Sequence, residues 1–335
     1  MSTITEDKPA TAHRPAPGDR ARRLGKVVAT EDFWVNATAP VALVAIMVVF
    51  SFLSPAFLTV GNLSGMLSDA TIPVTLALAA TFAVTLAGID LSLAATVALG
   101  SVTAGVAYDA GWSIWACFAV AMATGLAIGL LNGFFVGWVK IPDFIVTLGS
   151  LSLVMGLSLI VSDGQPVQMF STVLTTIGGD SIGPLRYNIA IALIVAVLLH
   201  ILLFHTSFGV HLLATGDNTA SAKAMGLKVA RIKLAGYAIG GALAGLASIQ
   251  LISFISSSQP TTNTDYLLKA IAAVVLGGVN LFGGRATIVG PVLGAILLTV
   301  LQQGLTLIGV EAYYEPLVIG IVVLAAATLM RGRNS

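Results

Sequence analysis

Asp90 lies in the string Val84-Thr-Leu-Ala-Gly-Ile-Asp-Leu-Ser92, with long apolar stretches on both sides. A carboxylate placed inside a membrane-spanning segment costs about 2.5–3.5 kcal/mol at the helix centre, so it is a candidate for proton or ion handling by default. The string has an echo in Val274-Val-Leu-Gly-Gly-Val-Asn-Leu-Phe282, and the register continues to Gly100 and Gly290. Asn280 stands where the first copy has its acid, and an amide cannot titrate. What Asp and Asn share is the capacity to accept a hydrogen bond from the free N–H groups at a helix start. The pair is therefore read first as caps of two broken helices, with solute contact and ion handling as the other readings of Asp90.

Other residues with chemical potential fall in three places. The stretch Ser256–Tyr266 is rich in hydroxyls and amides, among them Gln259, Thr261, Thr262 and Asn263, and Gln302 and Gln303 sit inside an apolar run. Neutral donors and acceptors of this kind suit a passage that binds weakly and releases. A solvated loop accounts equally well for 256–266, and one of the two glutamines is expected to bond across helices. The segment 206–233 is the most basic stretch between apolar runs. Asp217 or Asn218 is placed to cap a short helix through Thr219–Met225, and Gly226 to stop it.

Several chemistries are excluded. His200, His205 and His211 are five and six residues apart rather than four, so no two ligands stack on one helical face, and no metal site is expected. The single cysteine, Cys117, allows neither an internal disulfide nor a CxxC site. No GxxxxGK[ST] phosphate loop is present. Paired carboxylates and Ser/His arrangements are missing from the apolar segments, so no catalytic residue is assigned.

The elements that hold these residues must be membrane helices. Of the 335 residues 57% are hydrophobic and 9% charged, against roughly a quarter charged in a soluble domain. About 20 apolar residues cross the bilayer core, and apolar segments occur near 34–53, 71–88, 91–109, 112–139, 143–162, 188–205, 234–256, 267–282, 286–308 and 314–330. The expected fold is an all-α integral membrane protein of about ten transmembrane helices, with broken helices and an internal repeat. Residues 54–70 leave room for a short interfacial helix. Residues 1–32 read as a disordered cytoplasmic tail before a retained signal anchor, 33–330 as the transmembrane domain and 331–335 as a cytoplasmic C-terminal tail. With both ends inside, the six basic residues of the tail fall on one side with Lys140, Lys223, Lys228, Arg231, Lys233, Arg285, Arg331 and Arg333, leaving only Arg186 and Lys269 of the 16. Both breaks then face the same side, as parallel repeats require, although one miscounted half-helix would invert them. Small-xxx-small spacings, Gly125/Gly129, Gly133/Gly137 and Gly241/Gly245, supply close helix packing within the bundle or between subunits.

Five strings occur together: Gly88-Ile-Asp-Leu-Ser92, Gly216-Asp-Asn-x-x-Ala-x-x-x-x-Gly226, Gln259-Pro-Thr-x-x-x-x-Tyr266, Ala270-Ile-Ala-Ala-Val-Val-Leu-Gly-Gly278 and Gly283-Gly-Arg-x-x-x-x-Gly290. In this combination the chain resembles the permease subunits of the ribose, xylose, galactose and autoinducer ATP-driven importers, from about residue 35 to its end. The resemblance implies a homo- or heterodimer in the bacterial inner membrane that takes a small sugar from a periplasmic binding protein. It also implies a cytoplasmic ATP-binding subunit that uses the ATP and Mg, with no cofactor or nucleic acid on this chain. Gly216, Asp217, Asn218, Ala220, Lys223 and Gly226 are then the ATPase-coupling residues, and Asp90, Ser92, Gln259, Thr261, Thr262, Asn263, Asn280 and Gln302 line the solute path among helices packed in lipid. Related importers of amino acids, nucleosides or urea are the alternative. The Gly-Ile-Asp-Leu-Ser string favours sugars, and Asn280 at the repeated site disfavours an ion-coupled carrier.

Overall fold

A computed structural model describes residues 31–182, 185–261 and 265–331. Residues 1–30 and 332–335, which hold most of both tails, lie outside the described residues, as do Thr262 and Asn263. The described chain is almost entirely helical: α1 Glu31–Leu53, α2 Val60–Asp69, α3 Thr71–Thr85, α4 Leu93–Asp109, α5 Ile114–Phe134, α6 Asp143–Ser162, α7 Thr172–Gly179, α8 Tyr187–Phe204, α9 Ser207–Asp217, α10 Thr219–Ala224, α11 Val229–Ile255, α12 Asp265–Leu276, α13 Val289–Leu307 and α14 Glu315–Arg331. A π-helical turn, Phe135–Val139, extends α5, and a two-stranded ribbon pairs β1 Ser181–Ile182 with β2 Leu185–Arg186.

Six runs among the described residues are long and apolar enough to cross a membrane: Val60–Thr85, Ile114–Val139, Asp143–Ser162, Tyr187–Phe204, Val229–Ile255 and Val289–Leu307. Three shorter apolar helices, Ala39–Leu53, Leu93–Asp109 and Ala312–Leu324, accompany them. The expected count of about ten transmembrane helices is therefore not confirmed, and two of the departures have a local cause. The region expected to hold an interfacial helix is α2, which runs directly into α3 as one 26-residue span. The ladder is interrupted because Pro73 has no N–H to offer the Asp69 carbonyl, and the Thr71 hydroxyl bonds instead to the Ser68 carbonyl at 2.7 Å. The segment expected to span 267–282 is α12, whose 12 residues reach only about 18 Å.

The α2–α3 run is the axis of the bundle. Within its most apolar stretch 89% of residues are buried, against 22% for α8 and 28% for α6. Leu76, Leu78 and Phe82 of α3 pack with Leu243, Ala247 and Leu251 of α11 and with Ala273 and Leu297 of α12 and α13. The outward faces of α6 and α8 present Leu153, Ile160, Leu193, Ile194 and Leu198, as lipid contact requires. Exposed Trp112 and Trp115 flank one end of α5 and Trp138 the other, where indole rings favour the two membrane interfaces.

The three small-xxx-small pairs form one seam within the chain. A side chain on Gly125 would strike the backbone of Gly241 and Gly245, one on Gly129 that of Tyr237 and Gly241, one on Gly133 that of Leu234, and one on Gly137 that of Ala230. Descending partners against ascending positions mean that α5 and α11 lie antiparallel in backbone contact. Lipid supplies no hydrophobic force between helices, so close backbone approach holds this pair together.

Candidate functional site: a layer where two broken helices meet the α9–α10 corner

The two echoing strings are both helix breaks. After α3 the chain leaves helical geometry, passes Ala87 at φ 59° and re-enters at α4. After α12 it passes Gly278, Gly283 and Gly284 at φ 76°, 83° and 75° before α13. In the first break the Asp90 Oδ1 accepts from the Ser92 N–H at 2.9 Å and its hydroxyl at 2.6 Å. In the second the Asn280 Oδ1 accepts from the Phe282 N–H at 3.1 Å, and its Nδ2 donates to the Gly283 carbonyl at 2.9 Å. Both Asx residues therefore take the amide two residues on, and their side chains do the same work in both copies. Neither residue caps a helix, contrary to the reading of the sequence. The N-cap of α4 is Ser92, two residues after Asp90, and that of α13 is Ile288, eight residues after Asn280, so both side chains close Asx turns inside the breaks instead.

The breaks lie side by side. The Gly284 N–H donates to the Thr85 carbonyl at 3.1 Å, and a side chain on Gly283 would press on Ala87. At their other ends α3 and α12 also meet, where Ile72 and Pro73 share a cavity with Tyr266 and Lys269. The two helices run the same way, as parallel copies require.

Asp90 is 4% exposed and belongs to a buried polar relay that sequence reasoning missed. Asn132 of α5 donates to the Ser92 Oγ at 2.8 Å, and Ser150 of α6 donates to the Asn132 Oδ1. Asp143, in the first turn of α6, accepts from the Ile89 N–H at 2.6 Å, while Thr147 donates to the Ile89 carbonyl at 3.0 Å. The first break is thus clamped by both its backbone groups and its carboxylate. Asn132, a lone amide in an apolar run like Gln302, was the available signal. Asp143 carried none, because its partner is 54 residues away.

Between the breaks sits the end of α9. A side chain on Gly216 would meet the Thr85 carbonyl and the Gly284 amide, and one on Gly284 would meet Asp217. Only glycines at 216, 283 and 284 let three backbones approach this closely. Asn218 caps the next helix, its Oδ1 accepting from the Ser221 N–H at 2.8 Å. The helix closes on a Schellman motif: Gly226 at φ 83° donates to the Lys223 carbonyl at 3.0 Å, and Leu227 donates to that of Ala222 at 3.1 Å. Beside α10 opens a cavity of about 630 Å³ lined by Lys140, Lys223, Lys228, Arg231 and Lys233, with Asp143 on its wall. This is the basic end of the bundle.

The residues expected to line one solute path do not share one place. Asp90, Ser92 and Asn280 belong to the break layer. Gln259 lies among buried contacts: its N–H donates to Ser101 Oγ at 3.1 Å, that hydroxyl reaches the Gln259 carbonyl at 3.1 Å, and Ser158 donates to the Pro260 carbonyl at 2.8 Å. Thr261 is exposed. Non-helical backbone from Ser256 to Thr261 is thus wedged against α4 and α6, and is not a solvated loop. Gln302 lies at the end opposite the basic one, accepting from Lys269, while Gln303 donates to Asn62 of α2 at 3.0 Å.

For an Asp90→Asn variant the expected result is near-normal transport, because Asn keeps the accepting Oδ1, as Asn280 does in the second break. Asp90→Ala leaves the buried Ser92 amide and hydroxyl without that acceptor, a cost of about 1–3 kcal/mol, and uptake should fall severalfold. Equal loss in both variants would assign the residue an ionic role instead.

A family model described as branched-chain amino acid transport system / permease component matches residues 62–327. The ribose import permease protein RbsC of Escherichia coli (strain K12) is 35% identical over 306 residues, covering 90% of this chain and 95% of that protein. The autoinducer 2 import system permease protein LsrC of Salmonella typhi is 33% identical over 289 residues, covering 86% and 83%. No solved structure matches the chain. These two relatives carry the names of importers that the five motif strings resemble. With a lipid-facing bundle, two matching breaks and this coverage, the chain belongs to the family of transport-system permease components.

Proposed function

We propose that the chain is the membrane permease subunit of an ATP-driven importer that carries a monosaccharide or related polyol across the bacterial inner membrane. It works with a second permease copy, a cytoplasmic ATP-binding subunit and a periplasmic binding protein. The observation that carries this reading is the wedge of Gly216 and Asp217 between Thr85 and Gly283–Gly284. A helix capped at both ends, α10, hangs from that wedge on the basic end, next to five cationic side chains. Positive charge marks the cytoplasmic side, so both breaks and α10 face the ATP-binding subunit, and both termini are cytoplasmic. All ten apolar segments belong to the membrane domain, with α12 as a half-length segment set between non-helical turns.

The contacts support a mechanism. Closure of the ATP-binding subunits displaces α10, the α9–α10 corner displaces the Thr85 and Gly284 backbones, and the ends of α3 and α12 shift together. Packed interfaces of this kind switch between arrangements rather than deform continuously. The permease holds no ATP and no Mg of its own. Sugar is favoured because the relatives are named for ribose and autoinducer 2 import. An importer for amino acids, nucleosides or urea is the alternative, and the names of the relatives do not favour it.

The test is purification of the tagged chain from its own membranes. Co-recovery of an ATP-binding subunit, and of a ligand-loaded binding protein, is the expected result, and the bound ligand separates sugar from amino acid. Recovery of a lone stable oligomer that moves solute without ATP would overturn the reading.

A further inference from the structure

At the end opposite the basic one, a cavity of about 430 Å³ opens among α2, α12, α13 and α14, within the roughly 300–1,000 Å³ range of small-molecule sites. Its walls carry both signs of charge. Lys269 is 8% exposed and donates its ammonium to the Gln302 Oε1. Asp69, Asp265 and Glu315 add carboxylates, and Tyr266 adds a phenol ring. Arg186 approaches the rim, donating to the Ser68 Oγ at 3.3 Å.

An inorganic cation entering here would face Lys269, and an anion would face three carboxylates. A neutral solute with many hydroxyls suits both: its O–H groups donate to the carboxylates, and its oxygens accept from the ammonium and the amides. Tyr266 offers a ring for the apolar face of such a solute. The cavity lies at the starts of α3 and α12, and the same two helices end in the break layer. A shift at the breaks therefore reaches the walls of the cavity along two rigid helices.

We propose that this cavity is a low-affinity polyol-binding vestibule on the outer side of the permease, the place where released solute first meets the membrane subunit. The proposal rests on the importer reading and names a solute site for it. Weak binding is required, because a solute held tightly here would not move on.

The sole cysteine, Cys117, is fully buried in the fold, so one introduced thiol can be followed. Thr299 lines the cavity and is 6% exposed, and Thr299→Cys is nearly isosteric. In the full importer in membranes, a membrane-impermeant methanethiosulfonate added from outside should label this thiol. For a site with a dissociation constant near 50 mM, about 100 mM D-ribose or D-xylose should slow labelling about threefold, while an equally concentrated betaine control should not. Lys269→Met in the same background should abolish the protection. An unlabelled thiol, or labelling that no polyol slows beyond the betaine control, would overturn the vestibule. That failure is distinct from failure of the importer reading: there, ATP-dependent uptake would be missing whatever the labelling showed.

Discussion

Gly216→Val abolishes solute import, by a factor of ten or more on the order set by a lost coupling contact, while the assembled complex keeps hydrolysing ATP. A Cβ at this position runs into the Thr85 carbonyl, and further atoms run into the Gly284 amide. Both obstacles are backbone and neither can rotate aside. Overpacking of this kind costs about 1–3 kcal/mol, less than the 5–15 kcal/mol or so that holds a domain together. The protein should therefore insert and assemble, but with the α9–α10 corner pushed out from between the breaks. Gly216→Ala already carries the first clash and should show a smaller loss of the same kind. Gly149→Val is the control, because nothing lies within 4 Å of a Cβ there. Uptake and ATPase activity measured on the same vesicles decide the matter, and a Gly216→Val complex that imports normally would remove the corner from the coupling path.

The second large effect concerns the fold itself. Gly241→Leu should leave no monodisperse protein after detergent extraction. A side chain at 241 meets the Gly125 carbonyl and the Gly129 backbone, so α5 and α11 must separate along their length. The cost exceeds the ~1–3 kcal/mol of ordinary overpacking, because Leu is larger than Val and sits within a seam that runs from Gly125 to Gly137, so relieving it parts two long helices rather than displacing one corner. Gly156→Leu, on α6, has open space around the new side chain and should be recovered like the parent. Size-exclusion profiles of the two variants make the comparison. A Gly241→Leu protein with the parent's profile would contradict the seam.

These two glycine sets were legible in the sequence to different degrees. The spacing of Gly125, Gly129, Gly133, Gly137, Gly241 and Gly245 announced close packing, but a repeat of four gives a face and not a partner. Gly216 was noticed for the motif that contains it, and its neighbours at 85 and 284 are fixed only by the tertiary fold. The Asx echo was legible as two matching breaks but not in its detail: each side chain closes an Asx turn on the amide two residues on, while the N-caps of α4 and α13 are Ser92 and Ile288. The cap and stop of α10 were legible because both are local, with Asn218 rather than Asp217 making the bond.

Three features were not legible. Hydropathy registers apolar residues and not backbone hydrogen bonds, so a half-length helix followed by apolar turns, as in α12 and 277–282, reads like a full span. The buried course of Ser256–Thr261 was hidden because its carbonyls and amides are satisfied by Ser101 and Ser158, more than a hundred residues away in sequence. Polar residues of similar type were assigned to one path although they lie in separate layers. Residue type tells which contacts a side chain can make, whereas the depth at which it makes them is set by helix length and packing.

The most direct measurement is uptake into proteoliposomes that hold this chain with its co-purified ATP-binding subunit, with loaded binding protein outside and ATP sealed within. Accumulation of solute that requires ATP and is lost in Gly216→Val is the predicted result. Uptake that proceeds equally without ATP, or accumulation that Gly216→Val leaves intact, would contradict the account.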